Sequence, residues 1–566
     1  MAIQERVAPA TRDTGSSATY DWGRFGQGIA LLVVLVFGLV RAWVERFSMD
    51  VDGISYLDLS DAFARRDWHN FLNAYWSPLY PILLGISRLV LPTSKRWELP
   101  SGHLLNFVIY AATLGCFEYL YAALRDSLIS TDGEGDTFAL IGEWPLWMLA
   151  HALFLWVSLD LITLWNIGPD LCVSAFVYVI AGLILRFRQD SSWKLATALG
   201  VILGVSYWAK AVMFPLAFVF MGTALLCAPN VRTAVKRGLV TAAIFAAVAG
   251  PLVGTLSMQK HRLTFGDSGR LAYASLVSPG GQLHDWQGES ALGIKAAHPV
   301  RKIMSEPDVY EFAEPIGGTY PPFFDPTYWE EGWVPRFSLR AQVRTIARHL
   351  LLYAELLLHQ NNALPATVLT FLLVLGKGAR RTVSRNWPLF LMCGAGFGIY
   401  MLVLTEYRYI AAYVALLWLA LLSSFRVPRH LRTMSGCLVG TVALALLISV
   451  VDSTVRSVRE GGPMPEARDI VVSDRLDAMG LHPGDGICSI NGAGLYSARL
   501  SRAKVIAEIR DVPGFWRLSP EKREVVFQKL AQIGVRMVLA PDPGPLLTPD
   551  SSWLKVEGAP LYAHPL

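Results

Sequence analysis

The chain has 566 residues, of which 53% are hydrophobic and 17% are charged. Soluble proteins carry about 25% charged residues, so this composition excludes an ordinary soluble protein and indicates several membrane-spanning helices. The formal net charge of +5 is small for this length, and the positive charges lie in short loops rather than in one patch. Nucleic-acid binding therefore finds little support.

The six cysteines are scattered along the chain, and five of them lie within apolar runs. Only Cys488 lies in a soluble-looking region, so the sequence predicts neither a disulfide framework nor a zinc cluster. Residues 1–26 are polar and mixed in charge, and the apolar run after them lacks the small-residue cleavage site of a secretory signal. We interpret these residues as a cytoplasmic tail before a first membrane anchor.

Eleven stretches are candidates for transmembrane helices, which need about 20 mostly apolar residues. They cover 27–44, 103–124, 141–159, 168–186, 193–209, 212–228, 237–256, 361–376, 387–404, 409–425 and 434–452. A twelfth apolar piece, 78–92, is short and has two prolines near its start, which indicates a surface or re-entrant helix. If 78–92 does not cross, four short loops rich in Lys and Arg fall on one side, and the positive-inside rule makes that side the cytoplasm.

This topology predicts a membrane domain over 27–452 with long outer loops at 45–102 and 257–360, and an outer domain over 453–566. Loops of this length are usually functional. In the tail, the pattern predicts a helix near 466–479, strands in GICSI, near 503–509 and in VRMVLA, and a helix that begins after Ser519. The expected fold class is a polytopic α-helical membrane protein with a C-terminal extracytoplasmic α/β domain that covers or positions the active face.

The first outer loop begins with two carboxylates close together, Asp50 and Asp52, followed by a helical pattern with one apolar stripe. We expect this helix to lie along the membrane surface. Asp52 in front of a helix is also what a simple N-cap looks like. A closely spaced acidic pair is otherwise typical of a metal site or of a base with a raised pKa, and such a base accepts the proton of an acceptor hydroxyl. Asp52 and Asp50 are therefore the candidate catalytic residues.

Charged residues at other outer helix ends break the general pattern. Lys210 stands alone in one outer turn, and Arg408 follows Glu406 in another. Basic residues there oppose the orienting rule, so we interpret them as a phosphate clamp. Snorkelling of Lys210 and pairing of Arg408 with Glu406 are the structural alternatives. Asp160 and Asp170 flank a further outer loop as candidate binding residues, although Asp170 also suits a helix N-terminus.

Together these residues resemble the GT-C membrane glycosyltransferases, especially the dolichyl/polyprenyl-phosphate mannosyltransferase-like (family 39) group. Asp52 matches the acidic motif after the first helix, Tyr56 matches the tyrosine four residues on, and the segment WSPLYP at 76–81 matches a later aromatic segment. Many members read Asp-Glu where this chain reads Asp52-Gly53, and Asp50 is the candidate substitute for the second acid.

The later part of the chain follows the same family pattern at Pro169-Asp170, Lys210 and Arg408-Tyr409. The resemblance covers the layout of 27–452 and implies transfer of a sugar, with inversion, from a polyprenyl-phosphate donor to an acceptor on the outer face. It implies Asp52 as the general base or as the acid that orients the acceptor, and Arg408 with Lys210 as ligands of the donor phosphate. Tyr56, Asp170 and Tyr409 complete the substrate-binding set that the resemblance implies, and the charge pattern adds Asp160 and Glu406 as further candidate substrate-binding residues.

Several questions stay open at this point. The acceptor is a lipid, a glycan or a protein, and the acidic pair is compatible with a divalent metal as well as with a base. A lipid-linked glycan transporter or a non-catalytic envelope-assembly protein are the alternatives to an enzyme. An enzyme requires Asp52, Arg408 and Lys210 to converge on one outward-facing cavity, whereas a transporter requires a path through the membrane. The exported soluble parts without disulfide pairs fit a bacterial inner membrane.

Overall fold

The computed structural model describes residues 22–129, 138–279, 297–298, 300–312, 315–375, 384–460, 468–542, 552–557 and 559–566. Most of the predicted tail over 1–26 therefore lies outside the described residues.

The described chain is mainly helical. Its helices are α1 (Trp22–Val44), α2 (Val51–Ala64), α3 (Trp68–Phe71), α4 (Leu79–Ser87), α5 (Glu98–Ile129), α6 (Glu143–Trp156), α7 (Asp170–Gln189), α8 (Trp193–Ala209), α9 (Met213–Leu226), α10 (Val231–Gln259), α11 (Ser268–Leu276), α12 (Pro321–Phe324), α13 (Pro326–Trp329), α14 (Leu339–Ala354), α15 (Ala363–Leu375), α16 (Trp387–Met401), α17 (Tyr407–Ser423), α18 (Arg432–Glu460), α19 (Arg468–Ala478), α20 (Leu495–Leu500), α21 (Val512–Trp516) and α22 (Pro520–Gln532). The strands are β1 (Phe138–Leu140), β2 (Arg301–Ser305), β3 (Asp308–Glu311), β4 (Arg426–Pro428), β5 (Gly486–Ile490), β6 (Lys504–Ile509), β7 (Val535–Pro541), β8 (Leu554–Lys555) and β9 (Leu561–Pro565).

Each of the eleven predicted spans coincides with a helix. Within the described ranges, six helices are long and apolar enough to cross a membrane, namely α1, α5, α6 with the π-helical turn that follows it, α7, α10 and α18. The helices α8, α9, α15 and α17 are apolar but shorter, so the exact number of crossings stays a prediction. The twelfth apolar piece forms α4, which has nine residues and is too short to span a bilayer.

The basic loops meet at one end of the helix bundle. Arg188 donates hydrogen bonds to the carbonyl of Arg385 at 2.6 Å and to the hydroxyl of Ser127 at 2.5 Å. The guanidinium of Arg237 donates to the carbonyl of Ser191 at 2.7 Å, and strands β1 and β4 pair with each other. The shared end agrees with a non-crossing α4, while the assignment of this end to the cytoplasm stays a prediction.

At the opposite end, a seven-stranded sheet has the order β2-β3-β6-β5-β7-β9-β8. The central strand β5 runs parallel to both β6 and β7, and the remaining pairs are antiparallel. The elements predicted in the tail form α19, β5, β6, α22 and β7. We call the described parts of 300–312 and 468–566 the sheet domain.

The sheet domain differs from the predicted segment 453–566 in two ways. Helix α18 continues to Glu460, so the tail begins later. Strands β2 and β3 come from the second outer loop and extend the sheet through pairing of β3 with β6. These two strands are short and polar, with the sequences RKIMS and DVYE. Neither an alternation of apolar and polar residues nor the length of the segments therefore predicted them.

Helix α2 was expected to lie along the membrane surface through one apolar stripe, but the structure buries most of this helix within the protein. Its residues from Gly53 to Ser60 are all buried, including polar Ser55 and Asp58. Helices α4, α12 and α20 all pack against it. The apolar stripe is thus only part of its buried surface, because the sheet domain and the second outer loop also pack on α2.

Candidate active site

The start of helix α2 positions two carboxylates differently. Asp50 is the N-cap, and its Oδ1 accepts a hydrogen bond from the backbone N–H of Gly53 at 2.9 Å. Asp52 therefore lies inside the first helical turn and is not the N-cap that its position allowed. Its side chain is 27% exposed and contacts Arg408, with 3.2 Å between Oδ2 and Nη2.

Gly53 explains why this chain lacks an acid after Asp52. A Cβ at position 53 would lie 3.0 Å from Cγ of Met49, 3.1 Å from Oδ1 of Asp50 and 3.3 Å from Cβ of Ile167. These separations are shorter than ordinary van der Waals contacts, so a larger residue would require Met49, Asp50 or Ile167 to shift by a few tenths of an ångström. The glycine thus permits close packing of the helix start.

Arg408, in the first turn of α17, is surrounded by carboxylates. The nearest nitrogen–oxygen separations are 3.2 Å to Asp52, 3.3 Å to Glu406, 3.6 Å to Asp170 and 3.7 Å to Asp50. Its side chain is 17% exposed. A simple ion pair with Glu406, which was the structural alternative, therefore does not describe Arg408 fully, because the guanidinium joins three separate chain segments.

Lys210 reaches the same cluster from the end of α8. Its Nζ lies 2.6 Å from Oδ1 of Asp170 and 3.6 Å from the ring centroid of Tyr409. The hydroxyl of Tyr409 accepts a hydrogen bond from Nη2 of Arg408 at 3.3 Å. Asp170 is the first residue of α7, and its carboxylate bridges the two cations. Its role therefore goes beyond a favourable interaction with the helix dipole.

Tyr56 forms an aromatic wall beside these charges. It is buried, and its ring makes edge contacts with Trp76 at 5.1 Å and Tyr80 at 5.3 Å between centroids. The indole N–H of Trp76 donates to the carbonyls of Phe323 and Phe324 at 3.2 and 3.1 Å. The aromatic segment at 76–81 thus ties the second outer loop to the start of the site.

The electrostatics separate the two acids of the first turn. Burial and, less strongly, the Asp52 carboxylate raise the pKa of Asp50 to about 7, although the Gly53 N–H and Arg408 oppose the rise. Near neutral pH, Asp50 therefore holds a proton for part of the time. This proton relieves repulsion in a cluster where Arg408 and Lys210 face more carboxylates than they can neutralise.

A cavity of about 940 Å³ opens onto this cluster. Its lining includes seven of the candidate residues, namely Asp52, Tyr56, Asp170, Lys210, Glu406, Arg408 and Tyr409. Asp50 lies behind the lining as the cap of α2. The rest of the wall is largely apolar and comes from α9, α10, α16 and the second outer loop, through residues such as Phe214, Val253, Ile399 and Phe323.

The lining includes a second charged group that the sequence did not predict. Asp267 is 1% exposed and pairs with Arg262 and, at 3.6 Å, with Arg270. Burial raises the pKa of the nearby Glu330 to about 7, and Arg270 opposes this rise. The charge-rich stretch RLTFGDSGR directly after the predicted span 237–256 was the available signal, but its neighbours in space were not apparent from the chain order.

Asp160 does not join the candidate site. Its Oδ1 accepts a hydrogen bond from the hydroxyl of Ser453 at 2.6 Å and lies 3.8 Å from Arg41, which pairs with Glu45 at 2.9 Å. Asp160 is absent from the cavity lining. Arg41 lies inside the first predicted span, where a buried cation needs an anionic partner, and Glu45 and Asp160 both lie beside its guanidinium.

The described residues do not fit a metal centre. No group of three or more His, Cys, Asp or Glu side chains within the described ranges is arranged to hold a metal ion. In the cluster, the guanidinium of Arg408 lies among the carboxylates of Asp50, Asp52 and Asp170. A cationic side chain thus takes the place between the carboxylates that a divalent ion would need.

The fold has known counterparts among solved structures. The structure of ArnT from Cupriavidus metallidurans in the apo state matches with a TM-score of 0.53 and 12% identity over 96% of this chain and 98% of that chain. The chain has the GT-C fold. The same ArnT bound to undecaprenyl phosphate matches with a TM-score of 0.47 and 12% identity over 95% and 98% of the two chains.

A further match is the archaeal oligosaccharyltransferase AglB from Archaeoglobus fulgidus in complex with an inhibitory peptide and a dolichol-phosphate. Its TM-score is 0.43, with 12% identity over 92% of this chain and 70% of that chain. No family model and no curated protein matches the sequence.

Proposed function

We propose that this chain is a membrane glycosyltransferase that moves a sugar from a polyprenyl-phosphate donor to an acceptor nucleophile in the 940 Å³ cavity. The observation that carries the proposal is convergence. Asp52, Lys210 and Arg408 come from three distant parts of the chain and line this one cavity. Convergence of a carboxylate with two cations is what sugar transfer from a phosphate requires, and a scaffold would not need it. The GT-C fold supports the same reading.

In the proposed reaction, Arg408 exchanges the Asp52 carboxylate for the donor phosphate, and this exchange sets the order of the steps. In the free protein, Asp52 neutralises Arg408 at 3.2 Å. A donor phosphate offers a stronger bidentate partner for the guanidinium, with Lys210 as a second cation. Binding of the donor then releases the Asp52 carboxylate, which becomes available as a base beside the sugar.

The chemical step follows from these positions. The acceptor oxygen attacks the anomeric carbon while Asp52 takes its proton, and the bond between that carbon and the phosphate oxygen breaks. The bonding electrons move to the leaving polyprenyl phosphate, where Arg408 and Lys210 stabilise the charge. Attack opposite to the leaving phosphate inverts the anomeric configuration. No metal takes part in this scheme, because the carboxylates already surround Arg408.

The remaining lining residues have binding roles in this proposal. Tyr56 and Trp76 offer aromatic surface to the sugar, Tyr409 orients both cations, and Asp170 holds Lys210 in place. The apolar wall of α9, α10 and α16 suits the first units of a prenyl chain. The acceptor is a lipid, glycan or protein, and the surrounding membrane is proposed to be a bacterial inner membrane with the sheet domain outside.

Transfer of radiolabelled sugar from a panel of undecaprenyl- and dolichyl-phosphate sugars tests the proposal in membranes that contain the wild type or Asp52→Asn. We expect transfer by the wild type and a loss of about 10²- to 10⁴-fold in Asp52→Asn, the usual contribution of a general base. Asp67→Asn is the matched control, because Asp67 caps the short helix α3 in the same loop and does not line the cavity. Equal rates in all three proteins would remove Asp52 from the chemistry, and absence of transfer from every donor would contradict the proposed reaction.

A further inference from the structure

A buried arginine of the sheet domain forms ion pairs with the helix that carries Asp52. Arg499 lies in α20, and its side chain is 3% exposed. Its Nη1 lies 2.6 Å from Oδ1 of Asp58 and 2.7 Å from Oδ2 of Asp61, while its Nη2 lies 2.5 Å from Oε1 of Glu98. Asp58 and Asp61 belong to α2, and Glu98 opens α5, so one guanidinium joins the sheet domain to two helices of the membrane domain.

Two further arginines complete this contact. Arg502, from the sheet domain, lies 2.7 Å from Asp61 and 3.1 Å from Glu98. Arg88, which follows α4, lies 2.9 Å from Glu98 and also contacts Asp61. We call Arg88, Arg499, Arg502, Asp58, Asp61 and Glu98 the junction. Three guanidinium groups meet three carboxylates, so the junction is balanced in charge when all six are ionised.

The second outer loop is fastened at the same place. The backbone N–H and the hydroxyl of Thr319 donate to the Asp58 carboxylate at 2.7 and 2.9 Å. The carbonyl of Thr319 accepts from the N–H of Val505 in β6 at 2.8 Å. A few residues later, the carbonyl of Phe323 accepts from the hydroxyl of Ser55 in α2 at 3.2 Å. Since Phe323 lines the cavity, the junction connects the sheet to the cavity wall as well as to α2.

The distance from the junction to the candidate base is short. Asp58 lies six residues after Asp52 on one continuous helix, which corresponds to about 9 Å along the axis. One turn before Arg499, Tyr496 packs against the core of the membrane domain. Burial raises the pKa of Tyr496, and the carboxylates of Asp50, Asp469 and Asp52 add to the rise. Helix α20 thus lies close to the N-terminal end of α2, which carries Asp50 and Asp52, and also to the middle of α2, which carries Asp58.

The charged composition of the junction indicates that it fixes the position of α2 and does not merely attach the sheet domain. Apolar surface would attach a domain equally well, because buried ion pairs contribute little net stability relative to well-packed apolar residues. A guanidinium that bonds to three carboxylates at once, however, accepts only one geometry. A displacement of α2 by one or two ångströms would break these contacts and would also move Asp52 relative to Arg408.

We infer that Arg499 is a positioning residue through which the sheet domain fixes the place of Asp52 in the active site. The inference rests on the proposed function and deepens it, because it makes the sheet domain a working part of the site. A sheet domain that only covers the cavity would not need to bind α2 through three carboxylates.

Arg499→Lys in the full-length protein tests this inference. Lysine keeps the positive charge but cannot contact three carboxylates with fixed geometry. We expect kcat per folded protein to fall by roughly 10²-fold, as for a misplacement of about 1 Å, with little change in KM for the donor. Hydrogen–deuterium exchange should rise about tenfold in peptides that cover 51–64 and 319–324. Arg475→Lys is the matched control, because Arg475 in the same domain is 53% exposed and pairs with exposed Glu557.

The outcomes separate the possible roles of Arg499. A variant with normal kcat per folded protein but a lower unfolding temperature would overturn the inference and leave Arg499 a purely structural residue. Unchanged exchange in 51–64 would overturn it as well. If the wild type transfers no sugar while exchange in 51–64 rises in Arg499→Lys, the proposed function fails and the control of α2 by the sheet domain is supported.

Discussion

Replacement of Asp50 by Asn should stabilise the protein at alkaline pH and not at acid pH. The pKa of Asp50 rises from its ordinary value of 3.8 to about 7, mainly because burial disfavours the charged form. Between these two pH values the folded state binds a proton that the unfolded state has released, so stability falls as the pH rises. Each pH unit corresponds to about 1.4 kcal/mol, and the ionised carboxylate therefore costs about 4 kcal/mol above pH 8.

Asn keeps the cap that Asp50 provides, because its side-chain oxygen can accept the same hydrogen bond from Gly53. The lost contact with Arg408 is the longest of its four, at 3.7 Å, and three carboxylates remain around that guanidinium. The gain from removing the buried charge should thus exceed the loss. We expect Asp50→Asn to unfold at a higher temperature than the wild type at pH 8, with the difference vanishing near pH 4.

Thermal unfolding of both proteins in lipid nanodiscs between pH 4 and pH 8.5 measures this difference. Asp67→Asn is the control of opposite sign, because hydrogen bonds from Asn70 lower the pKa of Asp67. That carboxylate stabilises the folded state above its unfolded pKa, and this stabilisation is lost as the pH falls through its folded pKa. A difference between Asp50→Asn and the wild type that does not change with pH would refute the reasoning, as would a destabilisation of Asp50→Asn that grows towards pH 8.

Three further predictions concern transfer itself. Arg408→Lys should lower kcat/KM by about 10- to 100-fold in the transfer assay, because an ammonium group cannot bridge a phosphate and the surrounding carboxylates as a guanidinium does; an unchanged value would remove Arg408 from donor binding. Asp160→Asn should transfer sugar at nearly the wild-type rate per folded protein, since Asp160 pairs with Arg41 and Ser453 outside the cavity, and a loss as large as that of Asp52→Asn would show that the site extends there. Transfer should persist after treatment with EDTA, because Arg408 lies among the carboxylates, whereas loss that Mg²⁺ or Mn²⁺ restores would require a metal step.

The sequence predicts the membrane helices well because lipid imposes a simple requirement. A spanning helix needs a long apolar run whatever its neighbours are, so each of the eleven predicted spans coincides with a helix. The strands β5, β6 and β7 were predictable from short buried runs between turn residues. Strands β2 and β3 were not, because β3 pairs with β6, which lies about 200 residues further along the chain, and β2 joins the sheet only through β3.

The candidate site was predictable as a set of residues but not as an arrangement. Unusual charges at helix ends drew attention to Lys210, Asp170 and Arg408, and these residues do meet. Asp160 has the same local appearance as Asp170 and nevertheless lies apart, because Arg41 binds it. The sequence allowed either Asp50 or Asp52, which are two positions apart, to be the N-cap of helix α2. Which acid contacts a cation 356 positions away depends on tertiary packing alone.

The junction shows the same limit from the other side. Asp58, Asp61 and Glu98 look like ordinary surface charges in a loop, and Arg499 looks like a residue of an accessory domain. Only their burial together, with Arg499 at 3% exposure, indicates a specific contact. Charged residues at an interface between two domains carry no periodic signal, so a single sequence cannot reveal their partners.

The most direct test of the account is the position of a donor phosphate in the protein. A cryo-EM or crystal structure with a non-transferable polyprenyl-phosphate sugar analogue would locate its phosphorus atom and its anomeric carbon. We expect phosphate oxygens within hydrogen-bond distance of Arg408 and Lys210, with the Asp52 carboxylate released from Arg408 and facing the sugar. A phosphate bound instead at Arg262 and Arg270, or outside the cavity altogether, would contradict it.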